Sequence, residues 1–307
     1  MARGKVILFG EHAVVYGQAA VAAALDLGIV AIGRRPAPRL AIHLLDSRLT
    51  AERLDGTRLG DALDRLASCL EADLGDVTGL HLDLDSQLPI GAGLGSSAAL
   101  AVAIAEAILA PLDLPDPRRL ALTLDAARAF ELVFHGNPSG IDHTTAACGG
   151  MLLYRRHHEP PFLPLDDIPP LALTVAQLGP GADTGAMVAA VRALRDAEPA
   201  SVDPLIAWLG QLTLRAVDTL RAGELTATGR LMNLAHGGLV ALGVSTDALD
   251  RGCHAARDAG AWGAKLTGAG GGGCMIALGP PDRADAIAAA LANAGALRVL
   301  STMAGVR

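Results

Sequence analysis

The segment GAGLGSSAAL, residues 91–100, sets three glycines and two serines directly ahead of an alanine-rich run. Small residues let backbone N–H groups turn inward around an anion, and the helix that follows adds about half a positive charge at its N-terminus. Serine hydroxyls there can bind phosphate oxygens or a magnesium ion. The loop is not of the Walker A type, because no GK[ST] follows, and an ordinary glycine-rich turn is the competing reading. Acids and lysines complete what phosphoryl transfer requires: ligands for Mg2+, a base for an acceptor hydroxyl, and nearby positive charge. Glu131 ends a helical stretch and Asp142 follows the HGNPSG turn, so a chain reversal can bring both to one cleft. Taken singly, each carboxylate reads as a solvated surface acid, and His12 and His135 as packing or capping residues. Of 25 basic residues, 23 are Arg, and only Lys5 and Lys265 are Lys. Both lysines sit beside glycine-bearing motifs, where a compact, flexible ammonium differs most from a guanidinium.

These residues must be positioned by a chain of 307 residues, long enough for two modest domains. Hydrophobic residues make up 51% but aromatics only 3%, so Ala, Leu, Val and Ile fill the cores and an aromatic base-stacking surface is excluded. A net charge of -7 gives no global attraction to nucleic acid or an anionic membrane. The four cysteines are far apart and form no CxxC pair, and no HExxH occurs, which argues against structural zinc and fits a reduced, cytoplasmic setting. The apolar stretch 13–32 is interrupted by Gly17, Gln18, Asp26 and Gly28, which makes it two buried strands around a turn rather than a membrane span.

Strands are predicted over 4–9, 13–16, 27–33 and 40–46, and a helix around 58–74. HLDLDSQL at 81–88 alternates as a half-buried strand does. Ser97–Leu109 is apolar on nearly every face, the pattern of a helix buried between layers. Helices follow over 118–134 and 141–147, then a strand in GGMLLY. The proline-rich segment 157–171 marks a boundary near residue 170, giving domains 1–170 and 171–307. Beyond it come a strand in LALTVAQL, helices over 185–197, 202–222, 224–242 and 246–259, the glycine loop of KLTGAGGGGCMIAL entering a strand, a helix at 282–294 and a strand at 297–303. Mixed helices and strands without regular alternation favour an α+β fold. Gly268 to Gly273 matches GxGxxG, but the segment after it reads as a strand where a dinucleotide fingerprint needs a helix.

Taken together, KVILFGEHAVVYG at 5–17, PIGAGLGSSAAL at 89–100 and KLTGAGGGGCMIAL at 265–278 resemble the GHMP kinase superfamily. GEHAVVYG with FHGNPSGIDH at 134–143 resembles its mevalonate kinase branch. The resemblance implies a two-domain fold, with a left-handed βαβ unit in the N-terminal domain and a ferredoxin-like C-terminal domain. It implies ATP as co-substrate, Mg2+, and mevalonate as the small-molecule acceptor, with no nucleic-acid or membrane partner; a homodimer is compatible with it. Carried onto this sequence, Gly91, Ala92, Gly93, Leu94, Gly95, Ser96 and Ser97 would cradle the ATP phosphates, with Gly268 and Gly270 closing the floor of the cleft. Ser97 and Glu131 would hold Mg2+, Asp142 would accept the hydroxyl proton, and Lys5 would lower that hydroxyl's pKa. Glu11, His12 and Thr184 would line the acceptor pocket. One departure stands out: Gly185 follows Thr184, where relatives often carry a longer polar or basic residue. A sister kinase for phosphomevalonate or another small alcohol would keep the three glycine motifs, and a non-catalytic sensor on this scaffold could dispense with the acid pair.

Overall fold

The computed structural model describes residues 1–76, 79–89, 91, 93–136 and 138–307, so Ala92 of the expected phosphate loop and Asn137 of the HGNPSG turn lie outside the described residues. Two compact units interleave along the chain. One comprises Met1–Gly4, Leu27–Ile90 and Gly95–Gly149, the other Lys5–Asp26, Gly91–Leu94 and Gly150–Arg307. A single boundary near residue 170 describes chain order only, because strands β1 (Ala2–Phe9) and β2 (Ala20–Pro36) each run through both units.

In the first unit the strands stand in the order β4 (Leu49–Glu52), β3 (Ala41–Leu44), β5 (Leu80–Ser86) and the second half of β2. β3 and β5 are parallel, so the chain must cross over between them, and α1 (Arg58–Leu74) makes that crossing. Thr57 starts α1 by accepting the Gly60 amide at 2.9 Å on its hydroxyl, the capping role that short polar side chains perform. Alternation in β5 acts as expected: Leu80, Leu82 and Leu84 enter the core, while Asp83 on the other face pairs with Arg35 at 2.6 Å. Helices α2 (Ser96–Leu109), α3 (Asp116–His135) and α4 (Ile141–Cys148) complete the unit. α2 is buried from Ala98 to Ala105 without a break, and its alanines permit close approach of α3 and α4.

The second unit holds β6 (Met151–Tyr154), β7 (Phe162–Pro164) and β8 (Leu171–Gln177), then α5 (Thr184–Ala197), α6 (Pro199–Arg221), α7 (Leu225–Ala241) and α8 (Asp247–Asp258). A hairpin of β9 (Gly263–Leu266) and β10 (Cys274–Leu278), helix α9 (Ala284–Asn293) and β11 (Arg298–Ala304) end the chain. The strand order β11-β8-β10-β9, antiparallel throughout, is the 4-1-3-2 arrangement of a ferredoxin-like βαββαβ motif whose first crossover carries several helices. The α+β expectation therefore holds.

Residues 13–16, expected as a strand, form a 3-10 turn, Ala13–Tyr16. The paired valines favour extended backbone, but Gly10 at φ 92° and Gly17 at φ 81° reverse the chain on either side, and the Val14 amide donates to the Gly10 carbonyl at 3.0 Å. The expected strand 27–33 is the later part of the single long strand β2. No expected strand corresponds to β4, β7 or β9. Among the described residues no helix is long and apolar enough to cross a membrane.

Candidate active site

In the first unit, Gly95 takes the left-handed conformation at φ 75° and opens α2, which places Ser96 and Ser97 in a first turn whose amides have no intrahelical acceptors. The Ser97 hydroxyl donates to Oε1 of Glu131 on α3. Glu131 is 2% exposed, so it is not the solvated acid its spacing alone suggested. Its other oxygen stands 3.6 Å from Nε2 of His135, one turn further along α3. Gly140, at φ 95°, lets the chain enter α4, and Asp142 occupies the first turn of that helix, which packs against α2 and α3. One hydroxyl and two carboxylates of the sequence inventory thus sit on three mutually packed helices.

The other expected residues belong to the second unit. Lys5 is buried on β1, and its amide donates to the Leu94 carbonyl at 2.9 Å, tying that strand to segment 91–94. Gly91 and Gly93 have φ of 71° and 81°, and no atom of the described residues meets the space a Cβ would take at either, which leaves their main chain open to a close ligand. The Gly91 carbonyl lies where a Cβ on Gly181 would meet it at 2.8 Å, and a Cβ on Gly268 would stand 3.8 Å from the Gly93 carbonyl. Gly270, at φ 78°, is held so close to Val244 that a Cβ would come within 2.0 Å of its carbonyl oxygen. The two glycine-rich segments are therefore neighbours within this unit. β10, a strand, follows the second, in keeping with the rejection of a dinucleotide fingerprint.

His12 turns back through φ 58° and reaches Ala269 in this second loop, its Nε2 lying 2.8 Å from the carbonyl. A carbonyl only accepts, so Nε2 carries the proton, and burial, which pushes the His12 pKa down, keeps the ring neutral. Glu11 is buried and paired with Lys265. Thr184 stands exposed at the start of α5, where the Asp183 carboxylate caps the helix by accepting the Ala186 amide at 2.8 Å. Two polar residues went unnoticed in the sequence. Thr267 exchanges hydrogen bonds with the Ile7 main chain, at 2.9 and 3.0 Å, and its signal was a hydroxyl adjoining the glycine loop. His143 is the other, buried beside Asp142.

Residues 61–150 match the GHMP kinases N terminal domain and residues 216–297 the GHMP kinases C terminal family. Over 96% of its length the chain is 37% identical to the mevalonate kinase of Pyrococcus abyssi (strain GE5 / Orsay), 92% of which is covered. The chain belongs to the GHMP kinase family. It is also 34% identical to the mevalonate kinase of Methanothermobacter thermautotrophicus, across 99% of this chain and 98% of that one. Among solved structures, L. major mevalonate kinase in complex with R-mevalonate aligns with a TM-score of 0.83 at 28% identity, covering 99% of this chain and 95% of the other. A Lactococcus lactis galactokinase complexed with galactose, at 20% identity and a TM-score of 0.79 over 99% and 92% of the two chains, shares the fold.

In this GHMP kinase the acid next to His143 does not suffice to charge the imidazole. Burial pushes the His143 pKa down to about 4, against the attraction of Asp142 and with repulsion from Arg128 added. In the unfolded chain the same ring titrates near 6.5, so between about pH 6.5 and 4 the unfolded state binds the extra proton. Stability is therefore complete above that window and falls as pH drops through it, by roughly 3 kcal/mol in the limit. Urea melts of the wild type and His143→Gln at pH 7.5 and 4.5 test this. The wild type should lose more stability than the variant over that interval, and equal losses would assign the acid sensitivity elsewhere.

Proposed function

We propose that this chain transfers the γ-phosphoryl group of ATP to the primary hydroxyl of mevalonate, giving ADP and 5-phosphomevalonate. The observation that carries the reading is the 37% identity to a mevalonate kinase over 96% of the chain. The Ser97 hydroxyl on the buried Glu131 carboxylate and the open glycines Gly91 and Gly93 supply chemistry of the kind such a transfer needs.

The main-chain amides of Gly91 to Ser97, including Ala92, bind the phosphates, with Gly268 beside the Gly93 carbonyl and Gly270 packing the second loop against Val244. Ser97 and Glu131 would hold Mg2+. They offer hard oxygen donors, one of them anionic. That matches an ion that takes one or two carboxylates and draws its remaining ligands from phosphate and water. When bound, Mg2+ neutralises charge on the phosphate oxygens. Asp142 accepts the proton of the attacking hydroxyl. Lys5 favours the developing alkoxide and the negative charge of the transferring group. Glu11, His12 and Thr184 bind the acceptor. With four free cysteines and no disulfide, the enzyme suits the reducing cytoplasm.

ATP-dependent ADP release by the purified protein with Mg2+ tests the reading, with mevalonate, phosphomevalonate, galactose and homoserine compared and products identified by mass. Stimulation by mevalonate alone is expected. Stimulation by another acceptor would retain the phosphoryl-transfer chemistry and move the specificity, and silence with all four would return the chain to the sensor class.

A further inference from the structure

The sequence contains two lysines, and the chemistry above employs only Lys5. Lys265, on β9, has no exposed side-chain surface. Its ammonium has three N–H donors. The structure surrounds it with three acceptors: Oε1 of Glu11, the Leu266 carbonyl at 2.6 Å and the Ile7 carbonyl at 3.5 Å. All its donors are spent within the protein, so Lys265 has none left for a ligand. A planar guanidinium could not meet these three acceptors from one nitrogen, which accounts for a lysine in a chain that otherwise uses arginine.

Glu11 is left asymmetric. Oε1 is held by Lys265, whereas Oε2 is buried and has no hydrogen-bond partner among the described residues. Buried polar atoms are nearly always paired, because leaving one unpaired forfeits its hydration without return. We propose that Lys265 is a positioning residue: it fixes Glu11 by Oε1 so that Oε2 is kept as the acceptor for a hydroxyl of the alcohol substrate. This rests on the mevalonate reading of the same site.

The surroundings of the pair are consistent with such a role. Burial pushes the Glu11 pKa up and that of Lys265 down, while their mutual attraction opposes both shifts. Lys5 on β1 also draws Glu11 toward its ionised form, and Cys253 on α8 and His236 on α7 are the other titratable groups facing Lys265. The Leu266 amide donates to Nδ1 of His236 at 3.4 Å and the ring's Nε2–H donates to Asp250 at 3.1 Å, which fixes the neutral Nε2–H tautomer. Among the described residues the carboxylate that pairs with the Lys265 ammonium is that of Glu11.

The test compares Lys265→Met, Glu11→Gln and the double variant in steady-state assays, alongside their melting temperatures. Losing either partner should raise the KM for mevalonate about 10- to 100-fold, the range for a charged hydrogen bond, and leave the KM for ATP unchanged. The double variant should be no worse than Glu11→Gln alone, because both changes remove one interaction. An unchanged mevalonate KM in Lys265→Met, additive effects in the double variant, or parallel rises in both KM values would overturn the proposal in favour of a purely structural ion pair. Lys265→Met leaves a buried carboxylate without its cation and can fail to fold. The double variant removes both charges, and a wild-type mevalonate KM in it would equally overturn the proposal. Should the wild type not phosphorylate mevalonate, the functional reading fails by itself. The pairing is then read from the 13C carboxyl resonance of Glu11, which should titrate at higher pH in Lys265→Met than in the wild type; coincident titrations would overturn it.

Discussion

Asp142→Asn is expected to lower kcat by about a hundred- to ten-thousandfold, the contribution of a positioned general base. Asparagine has nearly the shape of aspartate, and α4 is held by contacts the change does not touch: packing against α2 and α3, and the Thr145 hydroxyl donating to the Ile141 carbonyl at 2.7 Å. The variant should therefore fold and melt as the wild type does. What it loses is the ability to take a proton from the acceptor hydroxyl. A base acts in the transition state, so kcat and kcat/KM should fall together while the KM for mevalonate stays near its wild-type value. Nucleotide affinity, which the proposed function assigns to the Gly91–Ser97 backbone, should also be preserved, and equilibrium titration with a fluorescent ATP analogue measures it separately from turnover. Near-normal turnover in a folded variant would remove Asp142 from the chemistry. A loss of turnover accompanied by weakened ATP binding would assign it to the nucleotide instead.

The sequence and the structure agree where the signal is local. The helix expected around 58–74 spans Arg58–Leu74, because its buried residues Leu63, Leu66 and Leu70 recur at helical spacing and Thr57 caps its start. The continuous apolarity of 97–109 correctly indicated a helix buried on all sides. Residues 13–16 form a turn despite the β-branched Val14 and Val15, because the glycines at 10 and 17 take positive φ and reverse the chain. At the site, residue type identified the participants but spacing could not pair them. Ser97 and Glu131 are 34 positions apart, and Glu11 and Lys265 are 254 apart. Periodicity reports which face of an element is buried, not which distant element covers it. The burial of Glu131 therefore had no counterpart in the sequence, where a helix-terminal glutamate is ordinarily solvated. Roles came from the family motifs, and only tertiary packing revealed that Lys265 has a buried partner.

Glu131→Gln separates a metal-binding role from a structural one. The Glu131 carboxylate is buried, accepts the Ser97 hydroxyl and lies near His135. Glutamine can still accept from Ser97 through its amide oxygen, so the link between α2 and α3 survives. The change also removes a charge that was costly to bury, so the melting temperature should hold or rise. If Glu131 only joined the two helices, turnover would hardly change. As a ligand to Mg2+ it supplies the negative charge that keeps the cation beside the phosphates, and a neutral amide is a poor substitute. We expect kcat/KM to fall about a hundred- to a thousandfold at fixed Mg2+, comparable to removing one preorganised electrostatic contact in other enzymes. The half-saturating Mg2+ concentration should rise, with part of the lost activity restored at high Mg2+. Asp142→Asn should show neither effect, since excess cation cannot replace a base. A Mg2+ titration of Glu131→Gln that superimposes on the wild type would place the metal ligands elsewhere. In that case the Ser97–Glu131 bond would be a device for joining α2 to α3.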